Sequence, residues 1–145
     1  MNAGSLLLVE DNPQDEKLTL RALRKANLAN RIDVVRDGQQ ALDYLFCTGE
    51  FAGREDGLPS VVLLDLGLPR LSGLEVLQKL RADPRTALLP IVILTSSDED
   101  QDRFRSYQIG ANSFVRKPVD FSEFAQTVAC LGVYWLAVNE TLSGE

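Results

Sequence analysis

The chain contains no histidine. This excludes Ser-His-Asp and Cys-His nucleophilic catalysis and any metal site built on imidazole. It has only two cysteines, Cys47 and Cys130, far apart and in no CxxC pair, so it encodes neither a disulfide framework nor a thiolate metal site. Both lie among apolar neighbours and are expected as buried, reduced thiols. Positive charge is also in short supply. Fifteen Lys and Arg face 21 Asp and Glu, a formal net charge of -6. An acidic chain with no basic patch is a poor candidate for nucleic acid or an anionic membrane surface. No apolar run reaches the roughly 18 residues of a membrane span. The N-terminus MNAGSLLLVEDN meets acid where a signal peptide needs a basic leader. Repeats, low-complexity tracts and linkers are absent. The expectation is one cytoplasmic domain spanning residues 1–145, with no output domain.

What is present is an alternation of two periods. Apolar runs at Ser5–Val9, Arg31–Arg36, Val61–Asp65, Pro90–Thr95 and Asn112–Val115 read as strands. Helix-start signals stand between them: Asn12 before Pro13, with Leu18, Leu20, Ala22, Leu23 and Ala26 as an apolar face; and Asp37 three residues before Gln40, with Ala41, Leu42, Leu45 and Phe46 facing inward. Ser72 stands three before Glu75, opening a helix that ends before Asp83-Pro84. Ser97–Asp100 and Asp120–Glu123 open the last two, and Thr48–Pro59 is a polar, Gly-rich loop. Alternating strands and helices with right-handed crossovers predict an α/β fold, a five-stranded doubly wound parallel sheet of order 2-1-3-4-5 with five helices.

Parallel strands gather their C-terminal ends at one edge, where such folds bind ligands. That edge receives Glu10 and Asp11 after the first strand, Asp65 from the third, Thr95 from the fourth and Lys117 after the fifth. Three carboxylates in one place repel unless they share a cation or take up protons. The cation that fits is Mg²⁺, with Mn²⁺ or Ca²⁺ as substitutes, since it prefers hard oxygen ligands and retains water. Asp11 and Asp65 are the expected direct ligands, Glu10 acts through water, and the backbone carbonyl of Gly67 reaches the same ion. Thr95 would donate a hydroxyl hydrogen bond and Lys117 a point charge to an anion on Asp65. Positioning and charge neutralisation of this kind suit phosphoryl transfer.

Taken together, Glu10-Asp11, Asp65 followed by Leu-Gly-Leu-Pro, Ser72-Gly73, Thr95-Ser96 and Phe114-Val-Arg-Lys117-Pro118 resemble the receiver domains of response regulators along almost the whole chain. The resemblance implies a flavodoxin-like, CheY-like fold. It implies that Asp65 accepts a phosphoryl group from a phosphohistidine on a sensor histidine kinase, with Mg²⁺ held by Asp11, Asp65 and the Gly67 carbonyl. It implies a Thr95–Phe114 switch and a cis Lys117–Pro118 bond. It also implies a phospho-acceptor that promotes its own phosphorylation and dephosphorylation rather than an enzyme. FVRKPVDFSEF and the long Thr48–Pro59 loop look like the stand-alone regulators paired with bacterial phytochromes. Two departures stand out: the acid pair is Glu-Asp rather than Asp-Asp, and the switch aromatic is Phe114 rather than tyrosine.

Three alternatives compete. A pseudo-receiver would share the fold without phosphorylation, but such proteins usually lack an acid or the lysine. A haloacid-dehalogenase-like phosphatase would want a second Asp two residues after Asp65, where Gly67 stands. A flavodoxin would want a phosphate-cradling loop where Glu10-Asp11-Asn12-Pro13 would repel one. The last helix adds a further expectation. Val128–Val138 (VACLGVYWLAV) carries no charge, so a helix there is apolar on more than one side and needs a partner. A homodimer is expected through Asp98–Gly110, Asn112–Val115 and Phe121–Val138, with Phe104, Tyr107, Cys130, Tyr134 and Val138 in its face.

Overall fold

In the computed structural model, which describes residues 5–26, 31–55, 57–95, 105–106, 108–120, 122–123 and 126, the five expected strands form one sheet. They are β1 (Ser5–Val9), β2 (Arg31–Val35), β3 (Val61–Asp65), β4 (Ile91–Thr95) and β5 (Ser113–Arg116). All pairs are parallel and the order is β2-β1-β3-β4-β5. The register pairs Val9 with Leu64, Asp65 with Leu94, and Thr95 with Arg116, so the C-terminal strand ends line one edge. β5 begins one residue later than its apolar run suggests. The side chain of Asn112 is used at the junction instead, its Oδ1 accepting from the Ile91 amide at 2.7 Å and from Arg81 at 2.9 Å.

β1, β3 and β4 are buried on both faces, as unbroken apolar runs require. Alternate side chains serve two cores. Leu7, Val9, Val62, Leu64, Ile91 and Ile93 pack with α2 (Gly38–Phe46) and α3 (Gly73–Ala82). Leu6, Leu8, Val61, Leu63, Val92 and Leu94 pack with Ala22 and Leu23 of α1 (Pro13–Ala26) and with Val115 and Val119.

The helix starts follow the sequence signals with two corrections. Asn12 Oδ1 accepts from the amides of Gln14 and Asp15 at 2.9 and 3.0 Å, capping α1. Leu18, expected on its buried face, is 43% exposed, while Thr19 is buried in its place and Leu20 is half-buried. The side chain of Ala26 lies outside the described residues. Asp37 caps α2 through the Gln40 amide at 2.8 Å, but Gln40 reaches back to the amide of Arg36, not of Asp37. Ser72 and Glu75 form the full capping box of α3. Asp120 Oδ1 accepts from the amides of Ser122 and Glu123, as a helix cap would, and helical backbone is described at 105–106, 108–109, 122–123 and 126. The rest of the fourth and fifth expected helices lies outside the described residues, as does Cys130. Cys47 is not buried. It is half-buried and free at the left-handed C-cap of α2, φ 56°.

Two arginines hold loops by main-chain carbonyls. Arg81 at the end of α3 donates to the carbonyls of Thr86, Ala87, Leu89 and Gly110. Arg54 bonds the Tyr44 carbonyl twice, and its guanidinium lies 3.8 Å above the Tyr44 ring. That pins the Thr48–Pro59 loop, which contains a short 3-10 turn at Gly49–Phe51, against α2. No described helix is long and apolar enough to cross a membrane. The expectation of no basic patch is corrected: α1 gathers Lys17, Arg21, Arg24 and Lys25 around one surface hollow, because Arg21 stands four residues from Lys17 and from Lys25 and three from Arg24, spacings that return side chains to one side of a helix.

Candidate functional site

Asp65 ends β3 with only 4% of its surface exposed. Its backbone is hemmed by Gly73, where an added Cβ would stand 2.4 Å from the Asp65 carbonyl oxygen. Only glycine lets α3 start this close to the strand end. Asp65 Oδ1 accepts from the Gly67 amide at 3.1 Å, the turn that carries the chain away from the sheet.

Glu10 follows β1, and its amide donates to the carbonyl of Val35 on β2 at 3.0 Å. Its side chain is fully buried. Oε2 accepts from the Asn12 amide at 3.2 Å, whereas Oε1 has no hydrogen bond among the described residues. Burial pushes the Glu10 carboxyl up to about 7, helped by a hydrogen bond with Asp65 and by that residue's charge, with Lys117 and the Asn12 amide opposing. Ligand atoms of Glu10, Asp11 and Asp65 lie within 4.8 Å of one another.

Lys117 answers this charge. Its ammonium is 3.1 Å from Glu10 Oε1, 3.0 Å from Asp65 Oδ2 and 3.1 Å from Asp15 Oδ2. The short approach to Glu10 Oε1 is an ion pair; the hydrogen-bond direction points to Oε2 at 3.4 Å. Burial works to lower the Lys117 pKa, but Asp65, Glu10 and Asp15 outweigh it and hold the ammonium charged beyond the ordinary lysine range. One ammonium against Glu10, Asp11 and Asp65 leaves negative charge in excess. A buried carboxylate oxygen without a hydrogen bond and an all-oxygen donor set fit a hard divalent cation.

Thr95 is 3% exposed at the end of β4, and its carbonyl accepts from the Lys117 amide at 2.8 Å. The following Lys117–Pro118 bond is cis. Phe114 sits opposite Ile93 in the sheet register and is partly buried against the core on the α2 and α3 side. Glu10, Asp11, Asp65 and Lys117 therefore come together, with Thr95 on the neighbouring strand end and Gly67 in the loop beyond. The expected dimer-face residues Phe104, Tyr107, Cys130, Tyr134 and Val138 lie outside the described residues. Asp15 escaped the sequence reading. Its only signal was its place four residues after Asp11, in a first turn where acid is expected anyway.

A family model for the response regulator receiver domain matches residues 6–129. The probable methanogenesis regulatory protein FilR2 of Methanothrix harundinacea is 41% identical over 136 residues, 94% of this chain and 86% of its own. Response regulator Rcp1 of Synechocystis is 30% identical over 131 residues, covering 90% of this chain and 88% of its own. The structure of the bacteriophytochrome response regulator AtBRR is similar with a TM-score of 0.85 at 52% identity, covering 93% of this chain and 96% of that one. The Mn(2+)-bound form of Rcp1 gives a TM-score of 0.74 at 30% identity, over 92% and 94% of the two chains.

Proposed function

The chain belongs to the response-regulator receiver family, the phosphoryl-accepting components of two-component signalling, and we propose that Asp65 is the residue that accepts. The observation that carries this is the nearly buried Asp65 carboxylate, held 3.0 Å from the Lys117 ammonium and clustered with Glu10 and Asp11. An Asp65 oxygen attacks the phosphorus of a phosphohistidine. The new O–P bond forms as the P–N bond breaks, and the imidazole leaves with the electron pair. Asp11, Asp65, Glu10 through water and the Gly67 carbonyl are the groups that would hold Mg²⁺, or Mn²⁺ or Ca²⁺ in its place. When bound, the cation supplies charge neutralisation for the transferring group. Lys117 supplies a second positive charge, and Thr95 a hydroxyl donor at the same edge. Coupling between Thr95 and Phe114 then carries the change of state along β4 and β5.

The donor in this reading is a sensor histidine kinase of the bacteriophytochrome class, supported by the similarity to AtBRR and Rcp1. The reading places the chain in the cytoplasm, which suits the free thiol of Cys47. It acts there as a homodimer through the face containing Phe104, Tyr107, Cys130, Tyr134 and Val138, supported by the uncharged run Val128–Val138. Incubation with acetyl phosphate and Mg²⁺ should add one phosphoryl group to the wild type and none to Asp65→Asn by intact-protein mass. Equal labelling of the two would defeat the assignment. Sedimentation at micromolar concentration should show a dimer that Tyr134→Glu converts to monomer by burying a charge; a wild-type monomer in both phosphorylation states would remove the dimer.

A further inference from the structure

The Lys117 ammonium has three hydrogens and, among the described residues, three carboxylates around it. Two of them, Glu10 and Asp65, belong to the acidic cluster that fits a cation. Asp15 does not. It reaches the ammonium from the first turn of α1, a contact between residues 102 positions apart in the chain. The backbone of Asp15 is held in place, its amide bound to the capping oxygen of Asn12 at 3.0 Å. Its carboxylate also sits at the N-terminal end of α1, where the helix favours negative charge.

We propose that Asp15 is a positioning residue for phosphoryl transfer, one that anchors the Lys117 ammonium beside Asp65; this rests on the reading of Asp65 as the acceptor. A lysine ammonium is a point charge on a flexible four-carbon stem with many rotamers to choose among. Contacts to Glu10 and Asp65 alone tie it to the acidic cluster in which the reaction takes place. Asp65 is the group being modified, and Glu10 is its neighbour in the acidic cluster. Asp15 stands outside that cluster. As Asp65 Oδ2 gives up its hold on Lys117 to bond phosphorus, the pair with Asp15 keeps the ammonium in place to meet a phosphoryl oxygen. Removing the Asp15 charge leaves Lys117 to be oriented afresh in each reaction, which lowers the rate of transfer without touching the acceptor.

The test compares Asp15→Asn, Asp15→Glu and Asp65→Asn in the full chain. The first readout needs no metal and no phosphodonor: the side-chain ammonium signal of Lys117 in ¹⁵N NMR, assigned with Lys117→Arg. An anchored ammonium exchanges its hydrogens slowly enough to be seen. It should be visible in the wild type and lost or broadened in Asp15→Asn. The second is the rate of phosphorylation by acetyl phosphate at saturating Mg²⁺. It should fall by up to about a hundredfold in Asp15→Asn, the scale on which a misplaced catalytic group is felt, and recover in Asp15→Glu, which keeps the charge on a longer arm. A wild-type rate in Asp15→Asn overturns the proposal. So does a slowed rate with an unchanged Lys117 signal, because the effect would then not act through Lys117. Should Asp15→Asn not fold, Asp15→Glu decides alone: a Lys117 signal and rate near wild type support the anchor, and loss of both overturns it. Phosphorylation of Asp65→Asn at the wild-type rate would instead strike the acceptor assignment, a failure separable from that of Asp15.

Discussion

The ammonium of Lys117 lies 3.0 Å from Oδ2 of Asp65, although 52 positions separate the two residues in the chain. Only the parallel register brings them together. β3 pairs with β4 up to Asp65, and β4 pairs with β5 up to Thr95, whose carbonyl takes the amide of Lys117. A change at one strand end is thus felt at the next.

Asp11 is exposed while its neighbours in the cluster are buried. Asp11→Asn is therefore expected to leave folding intact and to weaken Mg²⁺ or Mn²⁺ binding by about tenfold or more, the loss seen when even the outer groups of metal sites are removed. Isothermal titration checks this, and an unchanged affinity would take Asp11 out of the ligand set.

Gly73→Ala places a methyl group 2.4 Å from the Asp65 carbonyl oxygen and 2.7 Å from Leu66 Cα, both backbone atoms that cannot swing aside. The expected cost is about 1–3 kcal/mol in urea unfolding, accompanied by slower phosphorylation as the end of β3 shifts. A variant as stable and as reactive as wild type would show that this approach does not constrain Asp65.

The strands were legible because β1, β3 and β4 are buried on both faces, so burial left unbroken apolar runs at 6–9, 61–64 and 91–94. The edge carboxylates were legible because strand ends are fixed by those runs. Asp15 was not, since its role depends on where α1 turns relative to Lys117, and a first-turn acid is ordinary in any helix. Leu18 was misplaced because helical spacing allowed either it or Thr19 to face inward, and packing chose the smaller residue. The hold of Arg81 on four carbonyls left no trace in the sequence, because main-chain acceptors carry no residue signature. Cys47 was read by its neighbours' hydrophobicity, but the left-handed turn that ends α2 brings it partly to the surface.

Tyr44 donates a hydrogen bond to Asp33 at 2.5 Å. Burial, followed by that bond and the Asp33 charge, pushes its hydroxyl up to about 12 from an ordinary 10.0. The folded state therefore keeps the proton longer than the unfolded chain does. The stabilisation is fully present below pH 10 and is lost as pH rises from about 10 to about 12, on the order of 2 kcal/mol. Urea unfolding at stepped alkaline pH should show a steeper loss in wild type than in Tyr44→Phe. Parallel curves would mean that this hydroxyl does not couple to folding.

The most direct measurement locates the phosphoryl group itself. The protein is incubated with acetyl phosphate and Mg²⁺, and the acyl phosphate is reduced with borohydride, which converts a phosphorylated aspartate to homoserine. Peptide mass spectrometry then reads the modified position. Homoserine at position 65, absent when Mg²⁺ is withheld, is the expected result. Modification at Glu10, Asp11 or Asp15 with Asp65 intact, or no modification at all, would contradict the assignment of Asp65 as the phosphoryl acceptor.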